Sequence, residues 1–192
     1  MMGTRHLIIA VSKKNEVKIA QYGQWDGYPE GQGVDVLNFL KKVDLEKFNE
    51  KIEKLEFFTE AELEIPNLHE KCPWLSRDMG ANILSAVYEG KYQTYDYQDQ
   101  QTYEISFKNP IDCLINSIDF AGDGLWCEWA YVIDLHKNTF EVYEGFNQGS
   151  FDTSERFYKY YNPSEEHTPV KLRRSYALDN LPSKKQFLNE NS

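Results

Sequence analysis

Residues 125–146 read LWCEWAYVIDLHKNTFEVYEGF, and this stretch decides the fold class. Two runs rich in β-branched and aromatic residues flank Leu135-His136-Lys137-Asn138, and Asn138 suits the left-handed position of a tight turn, so the stretch predicts a β-hairpin. Alternation along a strand puts Leu125, Cys127, Trp129, Tyr131 and Ile133 on one face and Trp126, Glu128, Ala130 and Val132 on the other. Both sets are largely apolar. A strand with two apolar faces belongs inside a sheet, so this one is expected to be central.

A second hairpin is predicted at the start of the chain. Residues 5–12 are apolar and β-branched, Lys13-Lys14-Asn15-Glu16 is polar with a turn-forming Asn, and Val and Ile return in residues 17–22. Val34, Leu37, Leu40 and Val43 then recur at helical spacing, as do Leu45, Phe48, Ile52 and Leu55 beyond Asp44, a residue suited to cap a helix. Phe57-Phe58 reads as a short strand, and Thr59 with Glu62 has the spacing of a capping box for a brief helix ending before Pro66. Residues 66–75 read as loop. Ser76 is the expected cap of a helix reaching Tyr88, with Met79, Ile83 and Val87 on one face and Gly90 as its stop. Residues 92–104, YQTYDYQDQQTYE, read as a solvated, poorly determined insertion near 91–104. Asp152 is placed to cap a short aromatic helix over residues 154–161, residues 169–178 read as a last strand, and the polar tail after Pro182 is expected to fray. Strands at both ends with helices between predict a single α+β domain, a mixed or largely antiparallel sheet covered by helices.

Composition narrows the partners. The net charge of -10 comes from 31 acidic against 21 basic residues, and basic residues gather no further than adjacent pairs such as Lys13-Lys14, Arg173-Arg174 and Lys184-Lys185. Bulk nucleic-acid binding needs clustered cations and is not expected. The apolar run 7–11 is too short for a signal-peptide core, and nothing approaches a membrane span. Cys72, Cys113 and Cys127 are odd in number and lack CxxC spacing, so a reducing, cytoplasmic setting is expected.

The richest loop is QYGQWDGYPEGQG, residues 21–33, with glycines at 23, 27, 31 and 33. A phosphate loop of the GxxxxGK[ST] type needs a Lys after its glycines, and none follows. In the GxGxxG fingerprint Val36 stands where the third glycine belongs. Two readings stay open: Gly31-Gln32-Gly33 presents free backbone N–H groups to an anion at a helix start, or the glycines serve turns of positive φ while Trp25 and Tyr28 close over the core. His6, His69, His136 and His167 lack metal-ligand spacing, so neither a metal nor a cofactor is expected. Glu128, among Trp126, Cys127, Trp129 and Ala130, is a carboxylate that needs a partner, with Arg5, Arg77 or a tyrosine as candidates.

The blocks MGTRHLIIAV, QYGQWDGYPEGQGVDVLNFL, LSRDMG and CEWAYVIDLHKNTFEVYEGF resemble a family of uncharacterised fungal, bacterial and bacteriophage proteins. The resemblance covers most of the chain outside residues 92–117, and implies a shared fold and pocket without naming a ligand. Architecturally, MGTRHLIIAV with its hairpin and the late VIDLHKNTFEVY hairpin resemble N-terminal nucleophile hydrolases, including the choloylglycine hydrolase group. Those enzymes begin the mature chain with Cys, Ser or Thr, whose free α-amine serves as base. Here Gly3 stands where MCTR-like starts carry Cys, and Thr4 gains a free amine only if the Gly3–Thr4 bond is cut.

These observations predict a binding protein with a pocket for a small polar or anionic ligand, built from Arg5, His6, Trp25, Asp26, Tyr28, Arg77, Asp78 and Glu128. The alternatives are an amide or ester hydrolase acting through Thr4, and a factor with a protein partner in conflict between bacteriophage and host.

Overall fold

The computed structural model describes residues 3–96 and 98–191. Its first elements are β1 (His6–Val11) and β2 (Val17–Gly23), which pair antiparallel around a turn with Asn15 at φ 63. A wide helical turn over Pro29–Gly33 feeds α1 (Val34–Leu40), and α2 (Leu45–Ile52) follows. Asp44 caps α2 as expected, its carboxylate accepting from the N–H groups of Glu46 and Lys47 at 3.1 Å each. Next come β3 (Glu56–Phe57), α3 (Glu60–Leu63) behind the Thr59–Glu62 capping box, and α4 (Leu68–Lys71). Then α5 (Asn82–Glu89) ends at Gly90 in the left-handed region and leads into β4 (Lys91–Asp96) and β5 (Gln101–Ser106). The two-residue β6 (Cys113–Leu114) pairs with β3. The decisive hairpin is β7 (Trp129–Asp134) with β8 (Thr139–Glu144), turning at Asn138 with φ 57. The last elements are β9 (Lys171–Ala177) and α6 (Lys184–Asn191).

The fold is α+β. Its main sheet runs β2-β1-β7-β8-β9, with β1 and β7 parallel and the other neighbours antiparallel. Within β7 the alternation holds, Tyr131 and Ile133 facing one side and Ala130 and Val132 the other. Leu125, Trp126, Cys127 and Glu128, however, precede the strand as turn and loop, and Cys127, expected beside Tyr131, packs with Ala130. The first side is covered by helices: Ile8, Tyr131, Ile133 and Phe140 pack with Leu37, Phe48, Ile83 and Phe187. The second is covered by irregular chain carrying Ala121, Phe151, Phe157 and Val170. Arg156 anchors that cover. Its guanidinium reaches the fully buried Asp134 at 2.5 Å and Glu141 at 2.8 Å, and Tyr143 donates to Glu141 at 2.7 Å.

Four local expectations change. The segment 91–104 is the hairpin β4–β5, because alternate side chains find neighbours: β4 docks on α5, and Tyr92 and Trp74 both pack on Phe107. Tyr97 lies outside the described residues, as do Met1, Met2 and Ser192. Residues 66–75 are not plain loop but hold α4 and a short turn at Pro73–Leu75. The helix begun at Ser76 starts only at Asn82, since Gly80 takes φ 49 and interrupts it. The segment 154–161 tightens into no more than one 3-10 turn at Tyr158–Tyr160.

The tail after Pro182 does not fray. Phe187 is fully buried and stacks on Phe140 with centroids 5.8 Å apart, while Tyr176 donates to Glu190 and accepts from Asn191, both at 2.8 Å. One aromatic outweighs the polarity of its neighbours. Phe187→Ala is expected to cost about 3–5 kcal/mol, read as a lower urea midpoint; a change under about 0.5 kcal/mol, the size of an ordinary surface substitution, would show that α6 does not complete the core.

Candidate functional site

The glycine-rich loop is a close-packed structure, and space rather than positive φ explains its glycines. None of Gly23, Gly27, Gly31 and Gly33 has positive φ; the left-handed residue is Asp26, at φ 55. Gly23 sits opposite His6 in the β1–β2 register, and a Cβ there would lie 2.2 Å from the imidazole. Gly33 lies against Tyr131 and Phe187, while the Tyr131 hydroxyl donates to the Gly27 carbonyl at 2.8 Å. Nor is there an anion cradle. The N–H of Gly31 goes to the Tyr28 carbonyl and that of Gln32 to the Asp26 carbonyl, at 3.0 and 2.9 Å.

A second segment, residues 76–81, is laced to this loop. Gln24 N–H donates to the Arg77 carbonyl at 3.0 Å, Gln21 donates to the Ser76 carbonyl at 3.1 Å, and Gln32 accepts from Ala81 N–H at 2.7 Å. The Trp25 indole donates to Asp78 at 2.8 Å. Between loop and segment opens a cleft of about 930 Å³, which continues past α1 and α5 to the β4–β5 hairpin. That size lies in the upper part of the range for small-molecule sites, about 300–1,000 Å³.

The cleft gathers five of the expected residues: His6, Trp25, Asp26, Arg77 and Asp78. The others stand apart from its lining. Tyr28 supports it from behind, donating to Asp26 at 3.0 Å. Arg5 faces elsewhere, its guanidinium over Trp126 at 4.1 Å. Glu128 is half-buried just before β7, and its partner is the backbone N–H of Arg5 at 3.1 Å rather than a guanidinium. The Thr4 carbonyl accepts from Gly27 N–H at 3.0 Å. Gln32, Asp35, Asn38 and Asn82 also line the cleft and were not singled out by the sequence, although Gln32 lay inside the quoted loop.

His6 is the unusual member. Only 1% exposed, it borders the cleft with neither ring nitrogen in a hydrogen bond. Burial pushes its pKa down to about 4, opposed by the nearby Thr4 backbone, so the ring is neutral at pH 7 and offers one donor and one acceptor. Around it the cleft is acidic, with Asp26, Asp35, Asp78, Glu89 and Glu104 against Lys42, Arg77 and Lys91. Lys91 is spent on Glu104 at 2.8 Å. Crowding by surrounding protein raises the pKa of Asp35, an effect that Lys184 opposes and Asp26 reinforces. With Arg5 outside, this balance gives an anion little attraction. Among the described residues, no group of His, Cys, Asp and Glu is arranged to hold a metal, and no helix is long and apolar enough to cross a membrane. No family model, curated protein or solved structure matches the chain.

The sign of the His6 shift fixes a pH dependence. Its folded pKa lies below the unfolded value of 6.5, so the unfolded chain takes up the proton first, and stability present above pH 6.5 is lost as pH falls toward 4. Between pH 7.5 and 5.0 the native chain should lose about 2 kcal/mol more than His6→Gln; equal losses in urea titrations would refute the buried neutral ring. Gly23→Ala should destabilise by about 1–3 kcal/mol through overpacking. That cost should shrink in a His6→Ala background, and a double-mutant cycle showing full additivity would disprove the contact.

Proposed function

We propose that this chain is a non-catalytic binding protein whose cleft, between the glycine-rich loop and α5, takes a small polar ligand. The observation that carries the reading is His6. His6 forms part of the cleft wall with both ring nitrogens closed off from solvent and without a hydrogen bond, a cost to stability that is kept most readily at a functional site. Trp25, Asp26, Arg77 and Asp78 surround the approach on segments held by backbone hydrogen bonds, the preorganised arrangement that lowers the cost of binding. Catalysis by a nucleophile finds less support, because among the described residues no Ser, Thr or Cys lining the cleft is hydrogen-bonded to an imidazole or carboxylate, and no side chain among them hydrogen-bonds to the Thr4 hydroxyl.

The test is native mass spectrometry of the gently purified protein together with imidazole NMR of His6. A mass increment lost on denaturation, absent from Asp78→Ala and accompanied by a shift of the His6 nitrogens, is the expected result. An increment that Asp78→Ala retains, with His6 unmoved by its removal, would place the ligand elsewhere and sink the proposal.

A further inference from the structure

The chemistry of the cleft beyond His6 narrows its ligand. Resting on the binding-protein reading, we infer that the occupant is a neutral oligosaccharide, lying along the cleft from the His6 end toward the β4–β5 hairpin. Three observations combine.

First, the middle of the cleft is polar yet uncommitted. Asn38, Asn82, Ser85, Gln93 and Thr94 line it, and none of their side chains hydrogen-bonds to the protein. Amides and hydroxyls both donate and accept, which matches a partner whose every group is a hydroxyl and matches poorly a chain of amines or of phosphates. Second, the carboxylates at the His6 end are oriented and half-engaged. One oxygen of Asp78 accepts from the Trp25 indole and one oxygen of Asp26 from Tyr28, which fixes each group and leaves a second oxygen to accept from a hydroxyl. The neutral His6 ring forms part of the wall there. Third, aromatic surface stands at both ends: Trp25 is 42% exposed and Tyr95, on β4, 47%. The C–H faces of a sugar ring are apolar and gain by covering such surface.

The competing charges fit less well. A polyamine would meet Asp26, Asp35, Asp78 and Glu89, with Glu104 neutralised by Lys91, but between them it would run along Asn38, Asn82, Ser85 and Gln93, whose amides and hydroxyls do not select for charge. A polyanion meets more carboxylates than cations. The cleft, about 930 Å³, is lined in turn by the loop, α1, α5 and the hairpin, so affinity should grow with chain length.

The experiment is isothermal titration of the full chain with maltohexaose, cellohexaose, N-acetylchitohexaose and mannohexaose, their trimers, and spermine and citrate as charged probes, with His6 imidazole NMR in parallel. At least one hexamer is expected to bind with Kd below about 1 mM and its trimer about tenfold more weakly. Asp78→Ala and Tyr95→Ala should each weaken the hexamer by about tenfold, and the melting temperature of each variant, measured alongside, separates recognition from folding. Binding of no hexamer overturns the oligosaccharide assignment. If spermine or citrate then shifts His6, the cleft still binds a small polar ligand and the class alone was wrong; if no probe moves His6 and no ligand co-purifies, both readings fall. A hexamer that binds equally to native chain, Asp78→Ala and Tyr95→Ala also overturns it, since its site is then another surface.

Discussion

The parallel pairing of β1 with β7 is the contact on which the rest of the structure depends. Both strands are buried on both faces, and His6 to Val11 match Trp129 to Asp134 residue for residue. A single-residue slip would exchange the two faces of either strand, turning Tyr131 away from the helices and Val132 into them. The flanking hairpins keep that register. Each is closed by an Asn in the left-handed region, so β2 and β8 are set relative to their partners by local chain geometry before the long-range pairing forms.

The cleft follows from the same register. His6 opens β1 beside Gly23, the position where β2 gives up a side chain, and the loop that follows is fastened back by Tyr131 from the neighbouring strand. On the opposite face, Arg156 between Asp134 and Glu141 does comparable work for irregular chain that has no helix of its own. Removing one member of a buried ionic group strands the others, typically at about 3–5 kcal/mol. The sheet thus carries a rigid surface on one side and the open end of a cleft on the other.

Much of the sheet was legible because its signals are local. Alternation around Tyr131 marked a central strand, Asn15 and Asn138 marked the turns, and Asp44 and Thr59 marked helix starts. What the sequence could not disclose is non-local. Nothing near residue 6 says that its neighbour is residue 129, and nothing in a tail rich in Lys, Asn and Glu says that Phe187 will stack on Phe140. The loop was misread for a related reason. Glycine is usually read as freedom of φ, whereas here Gly23 and Gly33 are spaces left for His6 and Tyr131, a property of the partner and invisible in the loop itself. Of the expected site, the residues brought together are His6 from β1, Trp25 and Asp26 from the loop, and Arg77 and Asp78 from segment 76–81, while Arg5 and Glu128 ended up bonded to one another through the backbone.

The distance in sequence between β1 and β7 also has a temporal side. During synthesis the first hairpin emerges with apolar side chains on both of its faces, and the strand that pairs with the free edge of β1 is absent until residue 129 has been made. The helical cover remains incomplete until Phe187 follows. Pairings this remote are slow to close, and a chain waiting for them exposes sticky strand edges. The edge of β1 that β7 covers is therefore exposed for as long as it takes to make residues 24–128, whereas every residue lining the cleft has been made by residue 104.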